Sequence, residues 1–107
     1  MTIFKKIIDK QIPAVFLHED EHCVAINDVA PQAKVHILVI PKKSLKSINE
    51  ATETDQGLLG HLILVAKNLA KNAKIDETGY RLIFNTNADA GQTVFHLHLH
   101  LLGGEKL

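Results

Sequence analysis

Near the end of the chain three histidines alternate with leucine, His96-Leu97-His98-Leu99-His100. In a strand successive side chains point to opposite faces, so Val94, His96, His98 and His100 share one face while Phe95, Leu97, Leu99 and Leu101 share the other. The apolar face can seal a core. Three imidazoles in a row on the opposite face have no structural purpose that simpler residues would not serve. A lone histidine is more often structural, and His18, His22 and His61 are read that way. Two chemistries compete for the triad. Imidazole is the commonest neutral metal ligand, but His96 and His100 lie about 13 Å apart by strand rise. A metal would therefore take two of the three and need His36 or another ligand, and no acidic cluster adjoins the triad in sequence. The alternative is covalent catalysis: a neutral imidazole attacks phosphorus, and water then cleaves the phosphoramidate-type intermediate. Flanking imidazoles can orient the nucleophile, donate to phosphate oxygens and move a proton. Their mutual repulsion lowers their pKa and keeps the attacking ring neutral near pH 7. This second chemistry uses all three rings.

The loop before the triad suits phosphate. Asn85 ends a strand, Gly91 allows close backbone approach to an oxyanion, and Gln92 and Thr93 offer donors. Asp28, in a loop after another strand, can accept from both hydroxyls of a ribose.

The elements that must position these residues are read from periodicity and punctuation. Residues 2–10 put Phe4, Ile7 and Ile8 on one helical face, with Thr2 as the cap. Residues 15–17 and 23–27 read as strands joined by the turn Glu19-Asp20-Glu21, and residues 35–40 as a strongly apolar strand holding His36. Ser44 is placed as the cap of a short turn through Ile48. A long helix is expected from Thr54 or Asp55 to Ala73 or Lys74, with Gly79 beyond its end. Its apolar arc, from Leu58 through Ile63 to Ala73, spans roughly 160°, with Leu64 outside it. Strands follow over 80–84 and 93–102, separated by the polar loop 85–92. Five strands with short or helical connections predict an α+β domain, an antiparallel sheet with one long and one short helix on one side.

Composition narrows the field. A chain of 107 residues, 46% hydrophobic and 22% charged, fits one globular domain, residues 1–107. Lys+Arg and Asp+Glu both count 12, and without a basic excess no nucleic acid is expected as partner. Cys23 is the sole cysteine, which excludes an intrachain disulfide and suits a reducing compartment; it is read as a small buried thiol. No stretch reads as a signal peptide or membrane span, so no membrane is expected as partner and the location expected is cytoplasmic. A domain this small gains from oligomer formation.

The motif His96-Leu97-His98-Leu99-His100-Leu101-Leu102 resembles the signature of the histidine triad family, and the likeness extends along nearly the whole chain. Thr2-Ile3-Phe4, Ile12-Pro13-Ala14, the run from Asp28 to Ala33, the run from His36 to Lys42, Leu58-Leu59-Gly60-His61-Leu62, Gly79-Tyr80-Arg81, Gly91-Gln92-Thr93-Val94 and Leu102-Gly103-Gly104 are similar to its nucleotide-binding branch. The uridylyltransferase branch has glutamine at the third triad position, where this chain has His100. The resemblance implies hydrolysis of purine nucleoside phosphoramidates, including adenylated lysine and aminoacyl adenylates, without cofactor or metal. It assigns His98 as nucleophile, His100 to the phosphate and proton movement, and His96 and His36 as supporting rings. Asn85, Gly91, Gln92 and Thr93 match phosphate and leaving-group contacts. Asp28 and Val29 match the ribose contacts, with Phe4, Ile7, Ile26 and Leu38 around the base. It also implies a homodimer joined through the long helix and a strand, with the sheet continued across both copies. Two other functions share these residues: dinucleoside polyphosphate hydrolysis by the same His98, and a nucleotide-binding regulatory module whose hydrolysis is incidental. Several positions depart from the family pattern. Thr93 stands where many relatives have serine, Asn27 where many have a larger polar residue, and Glu105 in place of a frequent arginine. The chain closes at Leu107, where many relatives continue into a tail. These departures bear on leaving-group preference and turnover.

Overall fold

The structure, a computed structural model, describes all 107 residues. Thr2 starts the first helix, its hydroxyl accepting from the Lys5 backbone N–H at 3.2 Å, and α1 (Ile3–Ile8) buries Phe4, Ile7 and Ile8. Five antiparallel strands follow in the spatial order β1-β2-β3-β5-β4. They are β1 (His18–Glu19), β2 (Cys23–Asn27), β3 (Val35–Pro41), β4 (Tyr80–Ile83) and β5 (Leu99–Gly103). The pairing of β3 with β5 sets Leu38 opposite His100 and His36 opposite Leu102.

Strand alternation sorts the core into two layers. Cys23, Ala25, Ile37, Val39, Leu97, Leu99 and Leu101 pack with Leu62, Val65, Ala66, Leu69 and Ala70 of α2 (Gln56–Asn72). Val24, Ile26, Leu38 and Ile40 pack with Phe4, Ile7 and Ile8 of α1. The two helices therefore cover opposite faces, not one as expected. The unbroken apolar runs Cys23–Ile26 and Ile37–Ile40 reflect this, since both faces of β2 and β3 are buried.

Four expected boundaries move. Pairing with β2 begins only where Leu17 donates its N–H to Ala25 O at 2.8 Å, and Val15 is 81% exposed, so 15–17 is not a strand. The short turn is a 3₁₀ helix over Ile48–Glu50 capped by Ser47, not Ser44. The helix α2 starts at Gln56 after a 3₁₀ turn, Glu53–Asp55; there the buried Asp55 accepts from the Thr52 N–H at 3.0 Å and from Lys43 at 2.5 Å. The last strand is β5 alone. Residues before Leu99 leave the ladder, with the Leu97 N–H donating to Leu45 O at 2.7 Å. Within the broad apolar arc of α2, Ile63 stays 43% exposed, and Leu64, outside that arc, is 57% exposed. No helix is long and apolar enough to cross a membrane.

Candidate active site

On the α1 face the sheet and two loops enclose a cavity of about 380 Å³, within the usual range for small-molecule sites. Phe4, Ile7, Ile26 and Leu38 form its apolar wall; Asp28 and Val29 line one rim; Asn85, Gly91, Gln92 and Thr93 line the other; His98 and His100 meet between them. All twelve expected binding residues thus line one cavity. Ile3, Ala30, Gln32, Ile83 and Leu102 line it too and were given no site role in the sequence, as do Asn27, noted there as a departure from the family pattern, and Val94, placed there on the histidine face. A larger groove of about 770 Å³ beside the C-terminus, between Lys74, Arg81 and Lys106, holds no histidine.

The hydrogen bonds assign the proton on each ring. His98 Nδ1 lies 2.7 Å from the carbonyl oxygen of His96. A carbonyl only accepts, so Nδ1 carries the proton and Nε2 keeps its lone pair. Phe4 meets this ring edge-on at 4.9 Å between centroids and limits its rotation. His36 Nδ1 accepts from the Gln32 backbone N–H at 3.0 Å, which places the His36 proton on Nε2. That proton faces His100 Nδ1 at 2.9 Å and the Asp28 carboxylate at 3.4 Å. With Nδ1 of His100 accepting, its own proton sits on Nε2. The sequence offered no acidic partner for the triad. The hairpin supplies one, because the Asp28 N–H donates to His36 O at 2.9 Å and folds the two side chains together.

His96 and His36 stand behind the cavity, not in its lining. Both are 3% exposed. His96 turns its Nε2–H onto Pro41 O at 2.8 Å, latching the triad segment to the end of β3. Its ring is turned back onto Pro41 and does not join His98 and His100 in lining the cavity. Gln92 also has a different use. Its amide nitrogen donates to Lys46 O at 2.8 Å and Val94 O at 3.1 Å, and its oxygen accepts from the Asn87 N–H at 2.7 Å. The side chain shapes the loop and has no amide hydrogen left for a ligand. Gly91 sits at φ +83 with open space where a Cβ would stand, so backbone conformation rather than crowding calls for glycine.

Burial is the first cause lowering the pKa of His98, with the charge of His96 adding to it. His100 is lowered to about 4, again first by burial and then by the neighbouring His98 and His36 rings. Repulsion between rings, the cause named from the sequence, comes second to desolvation. Both lowerings favour the neutral rings near pH 7. Of the rings here, His36 and His100 join Asp28 in a group whose donor atoms all lie within 4.8 Å of one another and could hold a metal. Only one triad histidine belongs to it, against the two expected, and its members already hydrogen-bond or face one another.

The site is thus a pair of neutral imidazoles beside the central strands of an α+β domain whose sheet carries a helix on each face. A family model for the HIT domain matches residues 9–107. An uncharacterized HIT-like protein of Synechococcus elongatus is 55% identical over 106 residues, covering 99% of this chain and 92% of that protein. Among solved structures, a HIT family hydrolase from Legionella pneumophila superimposes with TM-score 0.97 at 44% identity, covering 99% of this chain and 95% of the other. A histidine triad nucleotide-binding protein from Candida albicans superimposes with TM-score 0.85 at 33% identity, covering 94% and 73%. The chain belongs to the HIT family and has the fold of its hydrolases.

Proposed function

We propose that this protein hydrolyses purine nucleoside 5′-phosphoramidates through a nucleotidyl intermediate on His98. The observation that carries this reading is the His98 ring itself: Nδ1–H held on the His96 carbonyl at 2.7 Å, Nε2 free, and the ring kept neutral by burial. In the first step Nε2 attacks phosphorus, the P–N bond to the amine breaks, and the ring becomes cationic. The His96 carbonyl stabilises that charge through the Nδ1–H it accepts. His100 donates Nε2–H to a phosphate oxygen; the anionic phosphate favours its charged form, which passes the Nε2 proton to the departing amine. Water then attacks phosphorus, its proton returns to His100 Nε2, and the His98 ring leaves neutral.

The remaining contacts follow from the cavity walls. Phe4, Ile7, Ile26 and Leu38 receive the base. The Asp28 carboxylate holds the Ala30 N–H at 2.9 Å and still has lone pairs for ribose hydroxyls. Val29, 98% exposed at the rim, gains cover when a nucleoside binds. The working unit is a homodimer that joins through α2 and β4.

Turnover of adenosine phosphoramidate by wild type and His98→Ala tests the chemistry, with diadenosine polyphosphate as the competing substrate. The variant should bind AMP like wild type yet lose turnover by about a thousandfold or more. Quenched wild-type reactions should carry a nucleotidyl group on His98. Turnover within about tenfold of wild type would remove His98 as nucleophile. Preference for the polyphosphate would reassign the substrate class.

A further inference from the structure

A second cluster of chemically capable side chains lies at the β1 edge of the sheet, beside α2 and on the face away from the histidine cavity. Asp20, in the turn between β1 and β2, is its centre. The Nε2–H groups of His18 and His61 both donate to Asp20 Oδ2 at 2.7 Å, and Cys23 Sγ lies 3.7 Å from the same oxygen. The four donor atoms all lie within 4.8 Å of one another. The second carboxylate oxygen accepts from the His22 N–H at 2.7 Å and the Cys23 N–H at 2.8 Å. The turn therefore fixes the direction of Oδ2 in advance. We infer that His18, Asp20, Cys23 and His61 form a zinc site that ties the β1–β2 hairpin to α2.

The donor set selects the ion. One sulfur, two imidazole nitrogens and one carboxylate oxygen make a four-ligand set suited to tetrahedral zinc, whereas magnesium and calcium require oxygen ligands throughout. Tetrahedral zinc spaces its ligand atoms about 3.3–3.6 Å apart, so the rings need retreat from Asp20 by only about half an ångström or a little more. Hydrogens from two rings and a thiol converge on one oxygen, in the place an ion would take. On binding, the rings move their protons to Nδ1 and the thiol proton passes to solvent. The Cys23 thiol gives up its proton as the ion binds, so the sulfur ligates as a thiolate. A thiolate and a carboxylate then balance the two charges of the ion, and the half-buried site is neutral.

Three ligands lie within six residues of one hairpin, and the fourth comes from the first half of α2. Each residue alone reads as an ordinary structural side chain, and only the fold brings His61 to the other three. The ion would anchor β1, which has two residues and a single neighbouring strand.

Chelator-treated full-length protein titrated with Co²⁺ and then Zn²⁺ tests the site. One equivalent of Co²⁺ per chain should give the visible bands of a tetrahedral ion and a near-ultraviolet thiolate charge-transfer band. Zn²⁺ should displace both and raise the melting temperature. His61→Ala and Cys23→Ser should abolish the bands, and His36→Ala should leave them intact. His61 is partly exposed, so His61→Ala carries the test if Cys23→Ser fails to fold. Absence of a stoichiometric spectrum, a spectrum without the thiolate band, or bands lost in His36→Ala but kept in His61→Ala would overturn the assignment. None of these outcomes bears on phosphoramidate turnover, which is read separately.

Discussion

His100 loses water on one side and meets two further imidazoles on the other, and its proton equilibrium couples to folding. Its ordinary value is 6.5 and its folded value about 4, with His96 and His98 lowered in the same direction. Between those values the unfolded chain binds protons that the folded chain refuses. Stability therefore falls as pH drops from 6.5 toward 4 and is unaffected by this ring above 6.5. Asp20 acts in another window. Burial raises its pKa, but hydrogen bonds from the His18 ring, the His22 backbone, the His61 ring and the Cys23 backbone outweigh it and hold the carboxyl well below the usual range. Its stabilisation is lost only in stronger acid. Urea unfolding between pH 7 and 4.5 should show the histidine slope, and His100→Asn should flatten it. An unchanged slope in that variant would refute the assignment. The same lowering predicts an acid limb of kcat/KM below pH 6.5, as His98 protonates.

At the scale of elements, the loop from Asn85 to Val94 holds its shape through one buried side chain. Gln92 satisfies Asn87, Lys46 and Val94 together. Gln92→Ala leaves those partly buried backbone groups without this partner, at about 1–3 kcal/mol for each that water does not reach. Its urea midpoint should fall clearly and KM should rise; a loss under about 0.5 kcal/mol would show that the amide is dispensable to the loop. The residues of this site were legible because they are chemically unusual: three alternating histidines, a glycine before a polar pair, an aspartate closing an apolar strand. How they are held was much less legible. Strict alternation from Thr93 to Leu102 imitates a long strand, yet Leu97 pairs with Leu45 and His96 with Pro41, both about fifty residues away. The pattern records which side each residue buries, and says nothing of which backbone it bonds. Apolar spacing likewise located α2, and its broad apolar arc leaves Ile63 on the outer surface of the chain. Lys74, not glycine, takes the left-handed position after α2, where Ile75 donates to Ala70 O at 3.0 Å and enters the core.

At the scale of the molecule, exposed Ile63 and Leu64 on α2 and the free edge of β4 form the surface available to a second copy. Sedimentation at micromolar concentration should show a dimer, and Leu64→Lys should weaken it by placing charge in an apolar contact. A monomeric wild type would sink the assembly, and a dimer indifferent to Leu64→Lys would move the contact elsewhere.

The two edges of the sheet differ in a way that matters for crowded solutions. β4 offers four residues of open ladder, while β1 offers two, followed at once by the Asp20 turn. A β4-to-β4 union leaves only the stubby β1 margins outward, too short and too charged to template another strand. In the proposed dimer growth would therefore stop after one union: geometry that admits a twin would refuse a fibre.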